Sequence, residues 1–183
     1  KIVEILKQNN VGGTFFLVGF WSEKYQDKIK EIDGAGLDIG THSNTHPKMS
    51  TLSPAQQESE LMISSKLISN VTGKEVRFFR PPYGDYNDQL IMTCDKLKLQ
   101  AIQWDVDSLD WKGLSAQQIL TRVKSGVKNG SIILFHNNSD HILEALPLVI
   151  EFLKSNGYEM VNLSGLVMEN GYTIDNNGVQ KKV

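Results

Sequence analysis

Residues 37–47 read Leu-Asp-Ile-Gly-Thr-His-Ser-Asn-Thr-His-Pro, so a short strand-forming segment runs directly into two histidines, His42 and His46. Pro47 disfavours a helical conformation for the residue before it, and we therefore expect both histidines on a loop rather than on one helix face. Such a loop can turn two neutral imidazoles toward one divalent cation. The pair could equally satisfy hydrogen bonds within the loop, and no obvious third ligand lies nearby in the sequence.

Three further predicted strands also end at polar residues that could do chemistry. Strands 76–79, 100–106 and 131–135 continue as Arg80-Pro81-Pro82-Tyr83-Gly84-Asp85, Asp107-Ser108-Leu109-Asp110-Trp111 and His136-Asn137-Asn138, respectively. In a parallel barrel the carboxyl ends of all strands face one side, and active sites are built on that side. Three of the four histidines lie at such strand ends. We therefore expect these segments to converge on one site.

The turn after strand 76–79 has two readings. Arg80 could orient a carboxylate or bind substrate, and it could instead form a structural salt bridge. Pro81 and Pro82 lack N–H groups, so the next free backbone N–H belongs to Tyr83. That N–H is well placed to stabilise an oxyanion.

The segments after strands 100–106 and 131–135 are also open to two interpretations. Asp110 and Trp111 could supply an orienting carboxylate and an aromatic wall for a sugar ring, or Trp111 could pack in the core at the rim of a barrel. His136 follows an apolar strand and is a candidate general acid. A lone histidine in that position could also be a hydrogen-bonded core residue.

Strand and helix patterns alternate along the chain. Further strands are predicted at 14–18 and 158–163, and helices at 1–10, 22–33, 53–73, 87–97, 115–128, 141–155 and 164–168. Ser53 with Gln56 and Ser115 with Gln118 have the spacing of capping boxes. The alternation predicts a parallel sheet, either a closed or distorted barrel or an open doubly wound sheet. No glycine-rich phosphate-binding fingerprint follows a strand, so the nucleotide-binding form has no support.

The composition is that of an ordinary globular domain. The chain has 183 residues, of which 40% are hydrophobic and 22% charged, and its net charge is −2. This charge argues against a nucleic-acid partner and is compatible with a carbohydrate. Cys94 is the only cysteine, so no intramolecular disulfide can form, and we expect a buried, inert thiol. No apolar run reaches the length of a membrane span.

The strand-end segments, together with Thr14-Phe15-Phe16-Leu17-Val18-Gly19, resemble motifs of the polysaccharide deacetylase family, carbohydrate esterase family 4. They occur in the family's order and cover nearly the whole chain. Gln103-Trp104-Asp105-Val106-Asp107 and Ala145-Leu146-Pro147 are most similar to the bacterial sporulation-type and peptidoglycan-directed members. The resemblance implies an α/β fold, a distorted (β/α) barrel with seven or so parallel strands.

The resemblance also implies an activity. Family members are metal-dependent hydrolases that remove N-acetyl groups from amino-sugar polymers, here peptidoglycan or a chitin-like polymer, and the same motifs also serve O-acetyl esterases acting on xylan. The implied cofactor is one divalent ion, with zinc favoured and cobalt or nickel also compatible. The family further implies an extracellular or cell-envelope location.

Individual roles follow from the same resemblance. The implied metal ligands are His42 and His46. The implied catalytic residues are Arg80, which orients the base, Tyr83, whose N–H binds the oxyanion, and His136, the general acid, which Asp110 tunes. The implied substrate-binding residues are Tyr83, Trp111 and Leu134.

One family motif has no match. The Thr-Phe-Asp-Asp-Gly motif supplies the base and the third metal ligand from a first strand, whereas this sequence starts at Lys1 in the helix that follows that strand. We expect residues 1–169 to be a catalytic domain lacking its first strand and residues 170–183 to be a polar, frayed tail. An upstream segment would complete the barrel, and the chain alone would be inactive. The alternative is a non-catalytic carbohydrate-binding remnant.

Overall fold

Six short parallel strands lie at the centre of the part of the chain that the structure describes. The structure is a computed structural model and describes residues 1–175 and 177–183. The first sheet has the order β1-β2-β3-β4, and the second pairs β5 with β6. The strands are β1 (Thr14–Leu17), β2 (Asp38–Thr41), β3 (Phe78–Phe79), β4 (Gln100–Ala101), β5 (Val106–Asp107) and β6 (Ile133–Leu134).

Helices connect the strands that pair with each other, as parallel pairing requires. They are α1 (Ile2–Asn9), α2 (Gly19–Lys24), α3 (Gln26–Gly34), α4 (Pro54–Thr72), α5 (Asp88–Lys96), α6 (Ala116–Gly126), α7 (Ile142–Ser155) and α8 (Leu163–Leu166). Short 3₁₀ turns occupy Met49–Thr51, Pro82–Gly84 and Asp110–Lys112. Within the described ranges, no helix is long and apolar enough to cross a membrane.

The longest helix, α4, begins and ends at the residues that the sequence indicates. The backbone N–H of Ser53 donates to Oε1 of Gln56 at 2.9 Å, and Pro54 occupies the first turn. Gly73 ends the helix with a φ of 70°, a left-handed conformation that glycine adopts without steric cost. The predicted capping box of Ser115 and Gln118 is also present at the start of α6. Both predictions are confirmed.

The two largest of three hydrophobic clusters hold most of the helices against the sheets. The larger cluster joins the four-stranded sheet to α1, α3, α4, α5 and α7, and it includes Ile29, Leu61 and Phe79, which are fully buried. The smaller cluster packs β5 between α6 and α7 through Val106, Val123 and Val149.

Cys94 is buried within the larger cluster, and burial raises the pKa of its thiol to about 12, as expected for an inert thiol.

The predicted strand 100–106 is wrong as a single element. The chain leaves the first sheet after Ala101 and enters the second at Val106. Asp105 causes the change of partner, because its carboxylate accepts hydrogen bonds from the hydroxyl of Ser131 at 2.9 Å and the backbone N–H of Ile132 at 2.8 Å. These contacts attach the segment to the chain entering β6.

The predicted strand 158–163 is absent from the described residues. Six parallel strands remain in this part of the chain, because the predicted strand 100–106 forms two of them, and the seven or so that were expected included a first strand before Lys1. Met160 accepts a backbone hydrogen bond from Gly12 at 2.9 Å at the entry to β1, and the side-chain oxygen of Asn162 accepts one from Gly13 at 2.8 Å. A single main-chain bond does not make a ladder, and α8 begins directly afterwards.

Two further expectations are corrected. The helix predicted at 22–33 is divided into α2 and α3 at Tyr25, whose φ and ψ of −122° and 50° are not helical. The tail expected to fray contains an antiparallel pair, β7 (Tyr172–Ile174) with β8 (Gln180–Lys182). Its turn is held by Asp175, whose carboxylate accepts from the N–H groups of Asn177 and Val179. Asn176, which the tail prediction also covered, lies outside the described residues.

The packing predicts how helix α4 responds to truncation of its side chains. Leu61→Ala should lower the free energy of unfolding by about 2–5 kcal/mol, because it removes a fully buried side chain and leaves a cavity. Met62→Ala is the matched control, since Met62 is 52% exposed, and it should change the free energy by less than about 0.5 kcal/mol. Urea unfolding of both variants measures the difference. Equal losses in the free energy of unfolding of the two variants would contradict the assignment of Leu61 to the buried face of α4.

Candidate active site at the carboxyl ends of the strands

Hydrogen bonds at the carboxyl edge of the first sheet align the residues that follow each strand. The N–H of His42 donates to the carbonyl of Leu17 at 2.9 Å, and the N–H of Arg80 donates to the carbonyl of Thr41 at 3.0 Å. The N–H of Ile102 in turn donates to the carbonyl of Phe79 at 2.7 Å. The first residues after β2 and β3 are therefore held side by side.

The two histidines of residues 37–47 converge. Their ring centroids are 4.9 Å apart, with the planes inclined by 70°. Nδ1 of His42 lies 2.6 Å from the carbonyl oxygen of Arg80. A carbonyl can only accept, so Nδ1 carries the proton and Nε2 keeps its lone pair. His46 has a φ of 63°, which confirms a loop conformation rather than a helical one.

Burial keeps both imidazoles neutral. It is the largest cause that lowers the pKa of His42 to about 4, and the charges of His46, Arg80 and His136 lower it further. Burial also lowers the pKa of His46, again with a contribution from His136. Neutral imidazole is the form that binds metals.

The histidine pair fits part of a metal site. Two convergent neutral imidazoles suit zinc and similar divalent ions. A catalytic zinc site uses three protein ligands, and no group of three or more histidine, cysteine, aspartate or glutamate side chains within the described residues could hold a metal ion. The third ligand is therefore not provided by residues 1–175 or 177–183.

Arg80 lies buried beside the histidine pair with an unused donor. Its guanidinium carbon is 4.3 Å from the ring centroid of Phe16 and 5.6 Å from that of Trp104. One terminal nitrogen donates to the carbonyl of Gln103 at 3.3 Å, while Nε has no partner among the residues described. Burial lowers the pKa of Arg80 to about 10, so the group remains charged at neutral pH.

This arrangement bears on the two interpretations of Arg80. Among the described side chains, no carboxylate lies within salt-bridge distance of its guanidinium. The structural salt bridge is therefore not formed within this part of the chain. A buried cation with a free N–H is arranged to receive an acceptor from elsewhere, because leaving such a donor unsatisfied is costly.

Tyr83 stands at the edge of the surface that His42, His46 and Arg80 form, here called the cleft. Its φ and ψ are 60° and 8°, a left-handed conformation that a residue with a side chain seldom adopts. Its ring lies edge-on to that of His46 with centroids 4.7 Å apart. The amides of Gly84 and Asp85 donate to the carbonyls of Pro81 and Pro82. No acceptor is paired with the N–H of Tyr83 in the described part of the chain, so that group is free to meet an oxyanion.

The buried carboxylate of Asp110 forms a hydrogen-bonded pair with the half-buried ring of His136. One carboxylate oxygen lies 2.8 Å from Nδ1 of His136, and the other accepts from the His136 backbone N–H at 2.8 Å. Burial alone would raise the pKa of Asp110, but the hydrogen bonds from His136 outweigh burial and lower it. Ser139 adds a hydrogen bond to the Asp110 carbonyl at 3.0 Å. His136 is therefore fixed by both its ring and its backbone.

Trp111 and Leu134 differ in exposure. Trp111 follows Asp110 in a 3₁₀ turn and is 57% exposed, so the interpretation as a rim core residue is wrong. Leu134 is buried in β6 opposite Asp107. The roles of both residues in binding substrate stay predictions.

No pattern in the sequence indicates the residues that support the histidine loop. Glu60 of α4 accepts hydrogen bonds from the N–H groups of Asn44 and Thr45, each at 2.8 Å. Asp85 accepts from the N–H and the hydroxyl of Ser50, again at 2.8 Å, and so ties the Tyr83 turn to the segment after His46. Acidic residues on a helix or in a turn look solvated in a sequence, and only their distant partners reveal them.

Comparison with known proteins identifies the family. Residues 1–102 match the family described as Polysaccharide deacetylase. The chain belongs to this family. A peptidoglycan-N-acetylglucosamine deacetylase of Bacillus cereus is 32% identical over 170 residues, covering 91% of this chain and 62% of that protein. A peptidoglycan-N-acetylmuramic acid deacetylase of Bacillus subtilis is 30% identical and is covered to 35% of its length.

Solved structures of polysaccharide deacetylases confirm the distorted (β/α) fold. A family 4 carbohydrate esterase from Streptomyces lividans superimposes with a TM-score of 0.83 at 32% identity, covering 87% of this chain and 82% of that one. A family 4 pseudoenzyme from Bacillus anthracis gives a TM-score of 0.88 at 36% identity, covering 92% of this chain and 59% of that one. The chain spans between 35% and 62% of the length of the first curated relatives it matches.

The Asp110 pair predicts a pH-dependent stability. The pKa of Asp110 is lower in the folded protein than in the unfolded chain. Its contribution to the free energy of unfolding is therefore present above about pH 4 and is lost as the pH falls through the folded pKa. Asp110→Asn should therefore lower the free energy of unfolding at pH 7, and its difference from the wild type should shrink at pH 3. Urea unfolding at the two pH values measures this. A difference independent of pH would contradict the charged pair.

Proposed function

We propose that this deacetylase domain hydrolyses the N-acetyl groups of an amino-sugar polymer, with peptidoglycan N-acetylglucosamine as the favoured substrate. The observation that carries the proposal is the convergence of His42, His46 and Tyr83 after the carboxyl ends of β2 and β3, and the hydrogen-bonded pair of Asp110 and His136 in the second sheet supports it. The names of the relatives in Bacillus cereus and Bacillus subtilis support peptidoglycan as the substrate polymer. An extracellular or cell-envelope location belongs to the same proposal, because that polymer lies there.

The cofactor in this proposal is one divalent ion, with zinc preferred. His42 and His46 would hold it through neutral imidazoles, together with a carboxylate from outside the described residues. A bound cation of this kind polarises an amide carbonyl and lowers the pKa of water. Cobalt and nickel suit the same donors.

The side chains of this domain and the backbone N–H of Tyr83 would perform the remaining steps. Water adds to the acetyl carbon, and the N–H of Tyr83 stabilises the resulting oxyanion. His136 protonates the amine as the carbon–nitrogen bond breaks, giving acetate and a free amino sugar. Asp110 accepts from Nδ1 and so directs Nε2 of His136 away from itself. Arg80 offers its free Nε–H to the carboxylate base, while Trp111 and Leu134 line the acetyl and sugar pocket.

An upstream segment would supply the base and the third ligand. β1 pairs with β2 on one side, and no described strand pairs with its other edge. A further parallel strand at that edge would end at the same side of the barrel as His42. Carboxylates at its carboxyl end would reach both the histidine pair and Arg80. Such a strand would also cover an exposed edge, which otherwise invites aggregation.

A second candidate is a domain that binds the polymer without cleaving it. The missing third ligand among the described residues favours it, as does the similarity to the family 4 pseudoenzyme from Bacillus anthracis. The two candidates differ in turnover and not in the shape of the cleft.

The general acid can be tested in protein that includes the upstream segment. His136→Ala should lower the rate of acetate release from N-acetylated peptidoglycan by about 10²–10⁴-fold, the usual effect of losing a general acid. His141→Ala is the matched control, since His141 precedes α7 and pairs only weakly with Glu144 at 3.5 Å, and it should leave the rate unchanged. An undiminished rate in His136→Ala would contradict the assignment.

The role of the upstream segment is tested by comparing two forms of the protein. The form with the segment should release acetate in the presence of zinc, and the chain from Lys1 should not. Peptidoglycan, chitooligosaccharide and acetylated xylan are compared as substrates, because xylan turnover alone would indicate an esterase. Release by the shorter form would show that residues 1–183 hold the base. Saccharide binding without release by either form would favour the binding domain.

A further inference from the structure

We propose that Glu60 is a positioning residue, which holds the loop between His42 and His46 in the conformation that makes the two imidazoles converge. The inference deepens the proposed function, because it assigns a determinant of metal affinity to a residue outside the cleft. It rests on the hydrogen bonds between helix α4 and the loop.

Glu60 uses both carboxylate oxygens on the loop. Oε2 accepts from the N–H groups of Asn44 and Thr45, each at 2.8 Å. Oε1 accepts from the hydroxyl of Thr45 at 2.8 Å. Hydrogen bonds to an ionised acceptor are shorter and stronger than neutral ones. The three bonds fix the two residues midway between the histidines.

The loop needs such support because its backbone is strained. Ser43 and His46 have φ values of 68° and 63°, in the left-handed region that residues with side chains seldom occupy. Conformations of this kind persist only where the surroundings over-determine them. The hydroxyl of Ser43 accepts from the N–H of His46 at 3.0 Å, but this bond lies within the loop and cannot anchor it to the fold. The amides of Gly19 and Phe20 attach the loop to α2 through the carbonyls of Ser43 and Asn44, and Glu60 anchors it to α4 through the amides of Asn44 and Thr45.

One face of α4 supports the whole segment that carries the histidines. Gln57, Glu60 and Ser64 are three and four positions apart and therefore share a face of the helix. Ser64 accepts from the hydroxyl of Thr41 at 2.8 Å, just before His42. Gln57 donates to the carbonyl of Met49 at 3.0 Å, just after His46. Glu60 is the charged member of this face and contacts the segment between the two histidines.

Glu60 acts through the loop and not on the cleft. Both of its oxygens are engaged by Asn44 and Thr45, and no metal-binding cluster among the described residues includes it. Hydrogen-bonded partners that orient metal ligands affect metal affinity by about 10–100-fold when they are removed. We expect an effect of this size, although Glu60 supports the loop backbone and not an imidazole directly.

Zinc affinity and amide hydrogen exchange together test the role in the 183-residue chain. Glu60→Ala should weaken zinc binding, measured by chelator competition, by about 10–100-fold. In the metal-free protein the amides of Asn44 and Thr45 should exchange at least about tenfold faster, because they lose their acceptor. Exchange along α4 should not change. Glu58→Ala is the matched control, since Glu58 on the same helix pairs with Lys96, and it should alter neither readout.

Two further variants separate a positioning role from a purely structural one. Glu60→Gln keeps the length of the side chain, and its amide can accept from both N–H groups and donate to the Thr45 hydroxyl, so zinc affinity should largely recover. Glu60→Asp keeps the charge but shortens the side chain by one methylene group, which moves the carboxylate away from the loop. The affinity for zinc should therefore fall as in Glu60→Ala. Glu60→Asp also carries the test if Glu60→Ala does not fold.

Unchanged zinc affinity and unchanged exchange at Asn44 and Thr45 in both Glu60→Ala and Glu60→Asp would overturn the inference. A uniform rise in exchange over the whole protein would also overturn it, because that result indicates lost global stability. If the 183-residue chain binds no zinc, the metal-free exchange rates alone decide the role of Glu60, and the proposed function is decided separately by acetate release from the form with the upstream segment.

Discussion

The ladder of backbone hydrogen bonds at the carboxyl edge of the first sheet determines where the site residues stand. It joins His42 to Leu17, Arg80 to Thr41 and Ile102 to Phe79. Side chains alternate between the two faces of a strand, so a slip of one residue would turn each of them to the opposite face. Because the register is fixed, residues that merely follow strands in the sequence become neighbours in space. The neutral histidine pair, the buried Arg80 and the Tyr83 turn all depend on this register.

The sequence predicted those features that local interactions decide. The capping boxes, the loop conformation of His46 and the convergence of residues at strand ends follow from short-range spacing and from parallel topology. The break between β4 and β5 could not be predicted, because it depends on Asp105 reaching Ser131 and Ile132, more than 25 residues away. The contacts of Glu60 with Asn44 and Thr45, which are 16 and 15 residues away, were missed for the same reason, because only the fold brings these partners near. The C-terminal strand pair is a local hairpin, and it was missed because residues 170–183 are too polar to show a strand pattern.

The cleft contains groups that are arranged for partners beyond the described residues. Arg80 has a buried, unused donor, and the histidines are desolvated and neutral, although both conditions lower stability when nothing binds. Such strain is typical of functional sites. The similar pseudoenzyme from Bacillus anthracis shows that this fold alone does not determine turnover. Under the proposed function, catalysis depends on whether a carboxylate accepts from Arg80 and whether a metal ion binds the histidine pair.

The most direct test is the coordination of zinc in the 183-residue chain, measured by X-ray absorption at the zinc edge. With one equivalent of zinc, two imidazole nitrogens should lie at about 2.0–2.1 Å, and oxygen atoms should complete the shell. His42→Ala should reduce the imidazole count to one. A shell with one imidazole or none in the wild-type chain would contradict the convergent pair as a metal site, and with it the proposed function.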